Sequence, residues 1–191
     1  MIGRRTYDGI SISRPVVSMG DGIGFIPGTL ADKMAPWVHP YFDAFTFLLT
    51  PRTQGEKVQS DRKQRRQGAA TPSSDGIKPA KPWEQLVASG VLDIEALCYI
   101  RGRSIPGRIF VLDESQQLTP HEAKTVVTRI SKGAKLVMLG DPAQIDNPYV
   151  DSLSNGLVYT RTKMRGLPMS AHVSLQKCER SPLSEAAAGR M

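Results

Sequence analysis

Cysteine is scarce: Cys98 and Cys178 are the two in 191 residues. That is too few for a disulfide framework, and they form no CxxC pair. Neither a stapled secreted scaffold nor a redox motif is expected, and a reducing, cytoplasmic setting is the default. Long apolar runs are missing too. None approaches the roughly 18 residues of a membrane span, so no membrane association is expected. Behind the basic start Met1-Ile2-Gly3-Arg4-Arg5-Thr6 there is no apolar core of the kind a secretory signal carries. No second His or Cys stands at ligand spacing from His121, which therefore reads as a helix first-turn residue and not as a metal ligand. No internal repeat occurs.

What is present is an ordinary soluble composition, 40% hydrophobic and 23% charged, with length for one domain over 1–191 and a real core. The net charge of +7 is unevenly spread: residues 51–82 hold eight basic residues against three acidic ones, which is +5 of it. That stretch is poor in apolar residues and rich in Gln, Arg, Lys, Ser, Gly and Pro. It cannot bury enough surface to offset its ordering entropy, so a disordered basic insertion at about 51–82 is expected. Its run Asp61-Arg62-Lys63-Gln64-Arg65-Arg66 reads as a solvated loop or as a contact to nucleic-acid phosphates.

The chain is organised around Arg108-Ile109-Phe110-Val111-Leu112-Asp113-Glu114-Ser115-Gln116-Gln117. Ile109–Leu112 is short, apolar and unbroken, as in a strand buried on both faces of a parallel sheet. Asp113 and Glu114 stand where that strand leaves the core, and open α/β sheets bind ligands at the carboxyl ends of their strands. One carboxylate can hold Mg²⁺ through its water shell while the other orients or deprotonates a water. Taken alone, the pair reads equally as a polar turn.

The flanking elements narrow the choice. Ile10 and Ile12 alternate with Ser11 and Ser13 in a short strand, closed by Arg14-Pro15. The glycine-rich loop from Met19 to Gly28 does not match the spacing of a phosphate-binding loop. Thr29 to Thr50 is helical in period, with Thr29 able to cap it, and Pro36 and Pro40 predict a break into two or three short helices. Its aromatics read as core. Trp83, Leu86, Val87 and Leu92 predict a short helix capped at Gly90, and Ile94–Ile100 a strand or edge segment. Arg101-Gly102-Arg103 can grip an anion, or pair with Glu95 or a neighbouring subunit. Thr119-Pro120-His121-Glu122 is a capping box opening a helix with Ala123, Val126, Val127 and Ile130 on one face, ended by Gly133. Ala134–Leu139 is the next strand, tipped by Gly140-Asp141-Pro142-Ala143-Gln144. Strand, helix, strand makes a right-handed βαβ unit that sets both polar tips on one rim. A helix from about Tyr149 to Lys163, a strand Ala171–Leu175 and a terminal helix from Ser181-Pro182 complete the prediction.

These residues resemble a known family. Phe110-Val-Leu-Asp-Glu-Ser-Gln116 looks like a Walker B motif of the DEAQ kind, and Leu139-Gly-Asp-Pro-Ala-Gln144 like the GDxxQ motif of superfamily 1 helicase-like ATPases. With Ser13-Arg-Pro-Val-Val, Gly24-Phe-Ile-Pro-Gly28, Tyr99-Ile-Arg-Gly-Arg-Ser-Ile105, Leu118-Thr-Pro-His-Glu122 and Glu179-Arg-Ser181, they resemble PhoH-like proteins over nearly the whole chain outside the basic insertion. Ser115 stands where the family usually has alanine. The resemblance implies a three-layer parallel-sheet P-loop NTPase fold and an ATP-binding, nominally Mg²⁺-dependent ATPase linked to RNA. It implies that Asp113 holds Mg²⁺ through water, Glu114 activates the attacking water, Gln144 senses the γ-phosphate and Asp141 positions its loop. Arg180 becomes a cationic contact to phosphate, in this subunit or a neighbour, with Arg14, Arg103 and Arg101 as further candidates.

The family's Walker A loop, GxxxxGK[ST], has no counterpart, since no GK[ST] occurs in the chain. The expectation is a domain lacking its first strand and phosphate loop, with a hole in the sheet where that strand belongs. The alternative function is then a non-catalytic remnant or interaction subunit that binds full-length PhoH-like relatives or forms a homo-oligomer.

Overall fold

Four short apolar segments pair side by side in the computed structural model, which describes residues 6–15, 30–50, 81–100, 102–176 and 181–190. They are β1 (Gly9–Arg14), β2 (Leu92–Ala96), β3 (Arg108–Leu112) and β4 (Lys135–Met138). All neighbours are parallel, in the order β2-β1-β3-β4. The helices are α1 (Leu30–Leu49), α2 (Pro82–Ala88), α3 (Pro120–Val127), α4 (Gly156–Met164) and α5 (Pro182–Arg190). A parallel sheet flanked by helices is the α/β, P-loop-type architecture expected from the sequence.

Register assigns the faces. Phe110 lies beside Ser11 and Leu136, and Leu112 beside Ser13 and Met138. Phe110 and Leu112 are 0% exposed and form one cluster with Leu118 and with Ala123 and Val126 of α3. Burying such a side chain contributes about 1.5–3 kcal/mol. The opposite face carries Ile12, Ile94, Val111 and Val137 in one row. There Ile12 is buried, whereas Ile109 and Val111 keep partial exposure, so β3 is fully buried on one face only.

The helix α3 opens as its sequence requires. Glu122 N–H donates to Thr119 Oγ1 at 3.3 Å, and Thr119 N–H donates to Glu122 Oε2 at 2.9 Å. It closes at Thr128, earlier than Gly133, which sits in the following turn with φ +79°. The helix α2 is capped one residue earlier, at Ser89, with Gly90 following at φ +71°, and Leu92, expected in that helix, opens β2 instead.

Other expectations are corrected. The helix α1 runs unbroken through Pro36 and Pro40. A proline deletes one amide donor, and the turns on either side keep the helix in register. Residues 97–100 form a 3-10 turn and not the end of a strand, so β2 stops at Ala96. The helix α4 begins at Gly156, because buried Asn155 is its cap, accepting from Val158 N–H at 3.0 Å. Residues 171–176 are exposed and unpaired among the described residues, so the strand expected at Ala171–Leu175 does not form. The four strands pair without a gap, since β1 lies directly between β2 and β3. No hole interrupts the sheet, and β4 pairs with β3 alone among the described residues. Thr29, the glycine-rich loop and nearly all of the basic insertion lie outside the described residues; Lys81 and Pro82 stand at the start of α2.

Candidate functional site

Parallel pairing brings the carboxyl ends of β1, β3 and β4 to one rim. Three backbone bonds extend the register past the strands: Asp113 N–H to Ser13 O (2.9 Å), Leu139 N–H to Leu112 O (2.9 Å) and Ser115 N–H to Leu139 O (2.8 Å). Between the first and last of these the chain must turn at Glu114. It does so in the left-handed region, φ 50° and ψ 38°, where no other non-glycine among the described residues has positive φ. A left-handed non-glycine costs about 1 kcal/mol. Such strain persists where surrounding contacts over-determine it, and it concentrates at functional sites.

Those contacts are explicit. Arg14 Nη2 donates to Glu114 Oε1 at 3.2 Å, and Gln116 Nε2 donates to Glu114 Oε2 at 2.7 Å. Both carboxylate oxygens are therefore held. Tyr41, reaching from α1, donates its hydroxyl to Asp113 Oδ2 at 2.7 Å. Burial, and next the hydrogen bond to Asp113, pushes the Tyr41 phenol well above the ordinary tyrosine range, so it stays a donor.

The second tip is organised around Asp141. Its Oδ1 accepts from Ala143 N–H at 2.9 Å and its Oδ2 from Gln144 Nε2 at 2.7 Å. Gln116 joins the two tips, because its Nε2 also donates to the Gln144 carbonyl at 2.9 Å. Gln117 adds a second strap. Its Nε2 donates to the Gln144 carbonyl (3.1 Å) and to Asp146 Oδ2 (3.0 Å), and its Oε1 accepts from the amides of Asp146 and Asn147 (3.0 Å each). Ser115 Oγ donates to Leu139 O at 2.7 Å, a tie that alanine at this position would not make.

The structure thus gathers Asp113, Glu114, Asp141, Gln144 and Arg14 on one rim. Arg103 is not among them. It pairs with Glu95 at 2.6 Å and is 60% exposed, with no bond to Asp113 or Glu114 among the described residues. Glu95 satisfies it locally, one of the alternatives its sequence context left open. Arg180 and Arg101 lie outside the described residues. Tyr41 was missed, since an aromatic at helical spacing carries no sign that its hydroxyl leaves the core. Gln116 and Gln117 were visible in the motif, but their bridging role depends on β4 lying alongside.

The donor set suits a hydrated Mg²⁺ held with a nucleotide better than a protein-only cage. Mg²⁺ usually keeps several waters and takes one or two carboxylates plus substrate phosphates. Among the described residues no group of three or more His, Cys, Asp or Glu could hold a metal, whereas Asp113 offers one oxygen free of any described hydrogen bond. Ser13 Oγ and Gln116 Oε1 are buried there with no partner among the described residues, unusual for native polar atoms. Gly140 lets Gln116 approach closely, since a Cβ there would overlap Gln116 Oε1.

The family described as PhoH-like protein matches residues 1–189. The chain belongs to this family. Protein PhoH2 of Bacillus subtilis (strain 168) is 41% identical over 182 residues, covering 95% of this chain and 36% of that protein. Protein PhoH2 of Mycolicibacterium smegmatis is 29% identical over 185 residues, covering 96% and 36%. A PhoH-like protein of Bacillus subtilis is 28% identical over 176 residues, covering 91% and 46%. The PhoH-like chain therefore spans between a third and a half of the length of these relatives. No helix among its described residues is long and apolar enough to cross a membrane.

Proposed function

We propose that this PhoH-like chain binds ATP with Mg²⁺ at the carboxyl rim of its sheet and contributes the water-activating side of an ATPase site. The observation that carries this reading is the joining of two polar tips from adjacent parallel strands: Gln116 Nε2 holds both Glu114 Oε2 and the Gln144 carbonyl. Chance placement of polar turns gives no reason for a buried glutamine to tie them together.

In this reading Asp113 holds the cation's water shell through Oδ1. Bound Mg²⁺ supplies charge neutralisation to the phosphates. Glu114 orients the attacking water and accepts its proton on a lone pair that the bonds from Arg14 and Gln116 leave open. Arg14, once released, is a cation at the rim able to turn to a phosphate oxygen. Gln144 offers its amide to the terminal phosphate, and Asp141 holds that amide in place until then. A link to RNA rests on the basic run Asp61–Arg66, whose deletion would lower RNA affinity and flatten its salt dependence.

The test is magnesium-dependent ATP hydrolysis by the chain beside Glu114→Gln, with nucleotide binding measured on both and on Asp113→Asn. Turnover that falls on Glu114→Gln while binding persists supports the reading. Turnover no higher than in Glu114→Gln rejects catalysis, and binding that Asp113→Asn leaves unchanged rejects the site.

A second reading is an interaction subunit that acts without turnover, with a homo-oligomer or longer PhoH-like proteins as partners. One observation favours it: both Glu114 oxygens already accept hydrogen bonds, from Arg14 and Gln116. Co-elution with a longer PhoH-like protein, unaffected by Glu114→Gln, would support it over catalysis.

A further inference from the structure

Tyr41 belongs to no motif of the sequence, yet it makes the single hydrogen bond that the Asp113 side chain receives among the described residues. Its hydroxyl donates to Oδ2 at 2.7 Å. The helix that carries it is anchored independently of this bond. Phe42 stacks on Trp83 with ring centroids 3.9 Å apart and planes at 16°, and Trp83 Nε1 donates to Thr46 Oγ1 at 3.1 Å. Tyr41 therefore stands on a fixed support and holds one oxygen of a carboxylate at the strand tip.

A carboxylate oxygen that accepts a hydrogen bond has given up one of its two lone pairs, so the oxygen without one is the better ligand for a cation. Ca²⁺ takes six to eight oxygens in flexible geometry and accepts a carboxylate through both of its oxygens. Mg²⁺ demands a tighter octahedron, dehydrates reluctantly and is satisfied by one carboxylate oxygen or by a water between. We propose that Tyr41 is a specificity-determining residue: by engaging Asp113 Oδ2 it disfavours two-oxygen binding and biases the site toward a hydrated Mg²⁺ over Ca²⁺. This rests on the metal role proposed above for Asp113.

The positioning is direct. Removing the hydroxyl while keeping the ring frees Oδ2 and leaves the Phe42–Trp83 anchor untouched. Loosening the anchor instead, at Thr46, leaves the Tyr41–Asp113 bond to act. A merely structural role for Tyr41 would make the two changes equivalent.

The experiment is binding of a fluorescent ADP analogue to the full chain, read by anisotropy in Mg²⁺ and, separately, in Ca²⁺. Wild type, Tyr41→Phe, Thr46→Val and Asp113→Asn are compared. Tyr41→Phe is expected to shift the Ca²⁺-to-Mg²⁺ affinity ratio toward Ca²⁺ by about 3- to 10-fold, the range of one hydrogen bond. Thr46→Val is expected to leave the ratio at the wild-type value. An unmoved ratio in Tyr41→Phe, or an equal shift in Thr46→Val, overturns the specificity role. Nucleotide binding that does not depend on the cation in wild type, or that depends on it undiminished in Asp113→Asn, overturns instead the metal reading beneath it.

Discussion

Arg14 and Glu114, a hundred residues apart in the chain, meet as an ion pair of 3.2 Å across the ends of β1 and β3. Each side chain is 33% exposed, so the pair stabilises the fold by no more than about 1 kcal/mol. Its weakness fits exchange of Arg14 between a carboxylate and a phosphate.

Replacing Arg14 with Met separates structure from binding. Thermal stability is expected to drop by under about 1 kcal/mol, while ATP affinity falls by about 10-fold, the scale of one hydrogen bond to a charged group. Calorimetric melting and nucleotide titration on the same preparation check both. A stability loss without an affinity loss would remove Arg14 from the site.

Gly140→Ala tests the junction between the two tips. A Cβ there would overlap Gln116 Oε1 and come within 3.2 Å of the amides of Ser115 and Gln116. Gln116 must shift, and it loses its hold on Glu114 or on Gln144. Overpacking of this kind costs about 1–3 kcal/mol, visible in a urea melt. Hydrolysis is expected to fall further than stability does.

Gln117→Ala leaves the amides of Asp146 and Asn147 without their acceptor and the Gln144 carbonyl with Gln116 alone. Gln117 is buried, so the expected loss is about 1–3 kcal/mol. Amide exchange should rise over residues 144–147 before it rises in β3, because the strap and not the strand is cut. Equal acceleration in both would refute the strap.

Stability should decline at alkaline pH through Tyr41. Its folded pKa is raised by burial and by Asp113. The sign follows: its contribution is complete below the unfolded value of about 10 and is lost as pH rises from there through the folded value. Tyr41→Phe should flatten the alkaline limb of a stability-versus-pH curve measured by denaturant melts. An identical limb in both proteins would show that the phenol is not tied to Asp113.

Much of this was legible in the residues themselves. The run Ile109–Leu112, the capping box at Thr119 and the alternation of Ile10 and Ile12 each encode local geometry, and each formed the element expected. The rim placement of Asp113, Glu114, Asp141 and Gln144 followed from a strand-helix-strand unit whose handedness is nearly invariant. The expectations that failed were those resting on a single local cue. Proline in α1 did not end the helix, and the strand expected at Ala171–Leu175 found no neighbour to pair with among the described residues.

The amino-acid sequence by itself determined which residues carry charge at the strand tips, because a buried parallel strand must end where polar residues begin. It also determined family membership, through motifs spread over nearly the whole chain. Only the tertiary structure decided what each carboxylate touches. Arg14 on Glu114, Tyr41 on Asp113 and Gln116 across both tips join residues from 2 to 100 positions apart. Such contacts depend on which strands and helices become neighbours, and spacing along one element carries no information about a side chain arriving from another.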